Sequence, residues 1–316
     1  MLESQVGFQI HFLGEENMRK IQILAASAVL FAVPGMASAL YSTSFDNAGV
    51  ASDFNVVSVA SSADTVIFGD NYGARGIAEA PGTTGGAAAT RGLFMQTNKG
   101  ATGVINGINA YLTAGGVNSF TGDIIVRFDM WMNVPTPLTN TTEQALFGIN
   151  TDGLGTNTRT GAAQTGADGV WYHLANEGGY GNTSSTPNSR DFVGYAGNSV
   201  SARLDNGEAP FTTLFPNGPL AGAPGNGWVR VEISESAGNV ELKFNGTVIS
   251  NFANGGFADG FLFLGYQDPF SGSIGSTSLF AVYDNLSVEA VPEPATMSVL
   301  ALGALAAAAR RRKSQK

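Results

Sequence analysis

Residues 124–132 read Ile-Ile-Val-Arg-Phe-Asp-Met-Trp-Met: Ile124, Val126, Phe128, Met130 and Met132 fall on one face, and Ile125, Arg127, Asp129 and Trp131 on the other. Successive side chains of a strand point to opposite faces, so this alternation commits the segment to a sheet with one buried side. Residues 228–233 repeat the pattern, with Val229, Val231 and Ile233 opposing Trp228, Arg230 and Glu232. Residues 261–264 are apolar on both faces and belong in the middle of a sheet. Further strands are expected at 40–45, 56–68, 170–174, 240–244 and 279–288, and the central one runs on to 266. Phe244-Asn245-Gly246-Thr247 is a tight hairpin, because Asn-Gly supplies the two positive φ angles of a type I′ turn. No segment sustains a helical period, and 42 glycines with many Asn, Ser and Thr residues supply turns. Gly-rich stretches at 81–89 and 216–227 read as surface loops. The chain is therefore expected to be all-β, with two packed antiparallel sheets.

The two ends do not fit that fold. Met18-Arg19-Lys20 is a short basic start, residues 21–33 are apolar and end at Pro34, and Ala37-Ser38-Ala39 is a small-residue cleavage site. These are the parts of a secretory signal peptide at 18–39, with the cut expected after Ala39. Residues 1–17 match no part of such a signal and are expected to be a mis-called extension ahead of a true start at Met18. In residues 291–316, Pro292-Glu293-Pro294 precedes an apolar run at 295–309 and the cluster Arg310-Arg311-Arg312-Lys313. That run is shorter than the roughly 20 residues that span a bilayer, and the basic cluster would hold its end on the cytoplasmic side. It serves as a permanent tail anchor or as a transient one held while an enzyme cuts. In this order the three parts resemble the PEP-CTERM sorting signal. The resemblance implies processing by the membrane protease exosortase after signal peptidase has acted, with transient inner-membrane insertion by the C-terminal helix. It also implies a Gram-negative host that makes exopolysaccharide and biofilm, and a final place at the cell surface or in the extracellular matrix.

Between the signals, residues 40–291 carry nine Lys and Arg against 21 Asp and Glu, a net charge of −12. An acidic surface repels phosphate backbones, which argues against nucleic acid as a partner. Neutral sugars and Ca²⁺ remain compatible with it. Cysteine is absent, so neither a disulfide framework nor a thiolate metal site exists. The domain expected at 40–290 must build its own core and is long enough to do so.

Five segments follow one another within residues 120–290. They are Arg127-Phe128-Asp129-Met130-Trp131, Ala167-Asp168-Gly169-Val170-Trp171-Tyr172, Trp228-Val229-Arg230-Val231-Glu232-Ile233, Phe263-Leu264-Gly265-Tyr266 and Tyr283-Asp284-Asn285-Leu286-Ser287-Val288. Their order resembles the concanavalin A-like lectin/glucanase jelly roll, and Ala167-Asp168-Gly169 resembles the Ala-Asp-Gly strand start of L-type lectins. The resemblance implies a carbohydrate-binding site in which the Asp168 carboxylate accepts hydrogen bonds from sugar hydroxyls. Gly169 would let the backbone approach the ligand. On the residues alone, Asp168-Gly169 is equally a turn before a strand. Trp171, Tyr180 and Tyr195 are candidate faces for pyranose rings, and each is also readable as ordinary core or loop packing. The lectins' later Mn²⁺/Ca²⁺ loop has no counterpart. Arg190-Asp191-Phe192-Val193-Gly194-Tyr195 stands near its place with different ligand spacing.

Asp284 alternates with Phe280, Val282, Leu286 and Val288, which places it on an apolar face where a carboxylate needs a partner. Phe45-Asp46-Asn47 echoes Tyr283-Asp284-Asn285, so Asp46 and Asp284 are candidate ligands of a shared structural Ca²⁺. Backbone amides are the alternative partners. Asn150-Thr151-Asp152-Gly153 is a second oxygen-rich loop without full Ca²⁺-loop spacing. Catalysis has little support: residues 40–291 contain one histidine, His173, and neither Gly-x-Ser-x-Gly nor Glu-x-Asp-x-x-Glu. The expected function is binding, by an exported surface or matrix protein whose sandwich takes carbohydrate, an exopolysaccharide in particular. A structural surface protein without a glycan ligand is the alternative, and a glycoside hydrolase with an unrecognised carboxylate pair is the third.

Overall fold

A computed structural model describes residues 38–59, 64–82, 90–97, 105–113, 119–135, 142–160, 163–165, 168–177, 191–270 and 277–291. The expected extension at 1–17, the signal peptide up to Ala37, Tyr180, Pro292-Glu293-Pro294, the apolar run at 295–309 and Arg310-Arg311-Arg312 lie outside them. Among the described residues, no helix is long and apolar enough to cross a membrane.

In chain order the strands are β1 (Ser38–Thr43), β2 (Phe54–Ser58), β3 (Thr65–Asn71), β4 (Arg91–Gln96), β5 (Asn106–Leu112), β6 (Phe120–Thr121), β7 (Ile124–Asn133), β8 (Gln144–Thr151) and β9 (Thr158–Thr160). They continue as β10 (Ala163–Thr165), β11 (Val170–Ala175), β12 (Phe192–Ala196), β13 (Ser199–Leu204), β14 (Trp228–Ser236), β15 (Asn239–Phe244), β16 (Thr247–Ala253), β17 (Asp259–Asp268) and β18 (Phe280–Ala290). One sheet has the order β16-β15-β14-β7-β18-β4-β3, with β1 also on β18; the other has the order β13-β12-β11-β8-β17-β5-β2, with β6 on β17. Every pairing is antiparallel, and the chain repeatedly crosses from one sheet to the other, as from β7 to β8, β13 to β14 and β17 to β18. The protein is an all-β, two-sheet jelly-roll sandwich.

Alternation places the core where the sequence pattern puts it. Ile124, Val126, Phe128, Met130 and Met132 from β7 and Val229, Val231 and Ile233 from β14 meet Ala145, Phe147, Leu262 and Leu264 of the other sheet in one buried cluster. Their alternates Arg127 and Glu232 pair on the outer face at 2.7 Å. The central position of β17, between β8 and β5, accounts for its two apolar faces. Asn245 and Gly246 have φ of 50° and 80°, as the hairpin requires.

Three expectations about strands need correction. The single strand at 56–68 is two, β2 and β3, which belong to different sheets. Several strands lie outside the expected set, among them β4, β5, β8, β12, β13 and β16: β8 is buried at every position, so it shows no alternation to read. The third correction concerns β18. A bulge between Asp284 and Ser287 sets one extra residue against β7, with Asn285 at φ 51°. Leu286 and Val288 therefore face the core, while Phe280 and Val282 belong to an outer cluster with Tyr72, Ile77 and Phe94. The five residues expected on one face are split by that bulge, and Asp284 belongs to the outer side.

Candidate functional site

Asp168 stands immediately before β11 and beside the chain that leaves β8. Asn150 at the end of β8 adopts φ 59°, and its amide donates to Glu235 Oε2 and to the Phe257 carbonyl, both at 2.7 Å. The chain then turns through Asp152 and Gly153 (φ 71°), and Leu154 N–H donates to Asp152 Oδ1 at 2.8 Å. Asp152 N–H donates to Asp168 Oδ2. Asn157 closes the loop: its amide donates to the Asp168 carbonyl at 2.8 Å, and its Oδ1 accepts from Asp168 N–H at 3.3 Å. Tyr111 Oη donates to the Gly155 carbonyl at 2.8 Å. The result is a rim of two carboxylates braced by the buried Asn157 carboxamide, from which Leu154 projects with 81% of its surface exposed.

The electrostatics follow from this geometry. Partial burial pushes the Asp168 carboxyl above its ordinary value and the Asp152 charge adds to that, while hydrogen bonds from Asp152 N–H and Asn157 pull it back. The same two carboxylates, after burial itself, hold the Tyr111 phenol above its usual range. Gly169 has φ 70°, and a Cβ there would stand 2.6 Å from the Ile149 carbonyl oxygen and 2.7 Å from that of Asn150. Glycine is required here by the neighbouring strand end itself.

The ring faces expected of Trp171 and Tyr195 are not available. The two residues are cross-strand partners on β11 and β12, both fully buried, and their rings stack on each other at 4.1 Å and 12°. The indole N–H donates to the Gly197 carbonyl at 3.0 Å. Strand register brings them together, and the chain after β8 lies over the same sheet face. The Asn157 carbonyl accepts from the Asn109 amide at 3.3 Å, and Arg159 N–H donates to Gln267 Oε1 at 2.8 Å. His173 shares a 3.2 Å hydrogen bond with Tyr195 Oη, so it too is an interior group. Asp152 and Leu154 on the rim, and the buried Asn157 that braces Asp168, are residues that the sequence pattern does not single out for this site. The signal for them is the Asp-Gly turn at 152–153, which by itself reads only as a weak cation loop.

Asp46 lies near enough to Asp284 for its charge to act on that carboxyl, and both residues have partners within the protein. Tyr72 Oη donates to Asp284 Oδ2 at 2.8 Å, and Asn285 N–H donates to Oδ1 at 2.7 Å. Each oxygen of the Asp284 carboxyl thus has a donor, the kind of partner that a buried carboxyl needs. Asp46 Oδ2 accepts from Ser44 Oγ at 2.6 Å. Among the described residues no group of three or more His, Asp or Glu is placed to hold a metal ion. Burial, followed by the charges of Asp46 and Asp129, pushes the Asp284 carboxyl up to about 7 in spite of its two donors.

Residues 290–313 match the model of the PEP-CTERM protein-sorting motif, so the chain carries that motif. No curated protein matches the sequence. Solved structures with similarity include a protein of unknown function with a galectin-like fold from Bacillus subtilis, at 14% identity over 80% of this chain and 96% of that one, with a TM-score of 0.44. The carbohydrate binding module CBM66 from Bacillus subtilis is 11% identical over 63% of this chain and 86% of its own, with a TM-score of 0.36. The Ca²⁺-bound exoplasmic/lumenal domain of VIP36 is 8% identical over 79% and 89%, with a TM-score of 0.40.

Proposed function

We propose that this protein is exported, is cut at both ends by signal peptidase and exosortase, and serves at the cell surface or in the matrix as a carbohydrate-binding module without catalytic activity. The motif at 290–313 supports the sorting half. The binding half rests on the rim: Asp168, partly buried beside Asp152 and braced by the buried Asn157, with the exposed Leu154 on the same loop. In this reading the carboxylates accept sugar hydroxyls, and Leu154 supplies the apolar surface that the buried Trp171 and Tyr195 do not. A polysaccharide of the producing cell is the proposed partner, and hydrogen bonds from its hydroxyls to a charged group are worth about 1.5–3 kcal/mol each.

A glycan screen on the purified exported protein tests this, followed by Leu154→Ser and Asp168→Asn. Leu154 has little packing to lose, so Leu154→Ser should keep the wild-type stability and weaken binding. Asp168→Asn should weaken binding about ten-fold or more. Retention of full affinity in both variants would move the site elsewhere. If no glycan binds the wild type, the protein is a structural surface element.

A further inference from the structure

The connection from Leu204 to Trp228 is far longer than the hairpin turns elsewhere in the sandwich, and its only helix is the single turn Phe211–Leu214. Long connections without much secondary structure are uncommon in compact domains and are usually functional. This one is tightly built. Gly222 N–H donates to the Phe215 carbonyl at 2.8 Å, and a Cβ on Gly218 would fall 1.9 Å from the Ala223 carbonyl oxygen. Asn226, at φ 57°, is fixed on Val134 by both ends of its amide, at 2.9 Å each.

Between this connection and the start of β14 lies a cavity of about 230 Å³. Phe215 and Trp228, both partly buried, leave some ring surface in it, and Asn217, Asn226 and Asn245 give it amides. None of its lining residues is ionisable, in a protein whose net charge is −9. The indole is held in place: its N–H donates to the Ala78 carbonyl at 2.8 Å, and its ring lies 5.3 Å from Tyr72 and 5.8 Å from Trp131. Aromatic faces match the C–H side of a sugar ring, and amides match its hydroxyls. The absence of charge selects against uronates, phosphates and amines. The volume is below the roughly 300–1,000 Å³ of drug-sized pockets and suits one small ring.

We propose that this cavity is a second carbohydrate subsite, taking one neutral hexopyranose unit of a polysaccharide. It is built against Met132 and Val134, beyond the end of β7, whereas Asp168 lies where β8 ends and β11 begins. Since β7 and β8 are successive strands of opposite sheets, the two sites lie at opposite ends of the sandwich. At about 3.3 Å per strand residue they are well apart. A protein with both is bivalent and links polysaccharide chains. The proposal rests on the reading that the protein meets glycans, and not on the Asp168 rim.

The test is a titration of tryptophan emission in the exported protein with neutral maltohexaose, cellohexaose, xylohexaose and mannohexaose, and with hexagalacturonate as the charged control. Only three tryptophans contribute, and Trp171 is fully buried. A neutral oligosaccharide should shift the emission with an affinity that does not change between low and high salt, and the galacturonate should not. Gly227 lines the cavity, has ordinary φ and has open space where a Cβ would stand. Gly227→Leu therefore adds bulk there without strain, and Asn217→Ala removes an exposed amide outside the framework. Both should weaken binding about ten-fold or more while the circular dichroism spectrum stays unchanged. Unchanged affinity in both, preference for the charged probe, or no response to any neutral probe would overturn the proposal. Loss of glycan retention in Leu154→Ser but not in the cavity variants would keep the rim and remove this site. The reverse pattern would keep this site and remove the rim.

Discussion

Asp284 makes a sharp prediction about pH. It is paired in register with Asp129 on the neighbouring strand, both are buried, and Asp129 holds Gly82 N–H at 2.9 Å, the Asn285 amide at 2.7 Å and the Arg230 guanidinium at 3.2 Å. Burial, followed by the charges of Asp46 and Asp129, raises Asp284 from 3.8 to about 7. A carboxyl whose folded value exceeds its unfolded one binds its proton more tightly in the fold. The stability it contributes is therefore complete below about pH 4 and is lost as pH rises through about 7. At about 1.4 kcal/mol per pH unit, ionisation in the fold costs up to on the order of 4 kcal/mol. A carboxamide has the shape of the protonated acid and cannot ionise, so Asp284→Asn isolates this effect. Urea unfolding of both proteins from pH 4 to 8 is the assay. The two should be nearly equally stable at the acid end, and the variant should lead by about 2–4 kcal/mol at pH 8. A flat difference across that range, or a wild type that gains on the variant as pH rises, would refute the argument from burial.

Other expectations follow from single contacts. Gly169→Ala should cost at least about 2 kcal/mol, since left-handed φ alone costs roughly 1–2 and the Cβ also meets two carbonyls; a thermal melt will show it. Trp171→Ala should lose about 3–5 kcal/mol in urea unfolding because it empties a fully buried stack, and a stable variant that only fails to bind glycan would restore the ring to the binding site. Glu235→Ala removes the acceptor of both the Asn150 and the Asn254 amides, at 2.7 and 2.8 Å, and should destabilise by about 1–3 kcal/mol or more. Intact mass of protein from its native host should correspond to a chain that begins at Leu40 and lacks Arg310 to Arg312; either segment retained removes that half of the processing scheme.

Strands with one wet face are legible in the sequence because their period is the physics of burial. Residues 124–132 and 228–233 lie where that period puts them. Strands buried on both faces carry no period, and β8 is hidden for that reason. The bulge in β18 is hidden because Asn285 at φ 51° is a backbone event that leaves no trace in an apolar alternation.

The site is less legible, for a different reason. A motif such as Ala167-Asp168-Gly169 states which groups lie close together and not what they touch. Here Asp168 meets Asp152 N–H, and Gly169 makes room for the Ile149 and Asn150 carbonyls, so each has framework work beside any work on a ligand. Trp171 and Tyr195 are readable from the sequence either as ring faces for a sugar or as core packing, and strand register stacks them inside. Partly exposed rings come instead from a segment with no motif, around Phe215 and Trp228, where glycines and asparagines fix a loop against the sheet end. Ring chemistry in a sequence names candidates, and burial sorts them: Trp171 and Tyr195, within paired strands, go to packing, while Trp228, at the very start of β14, keeps part of its ring at the surface.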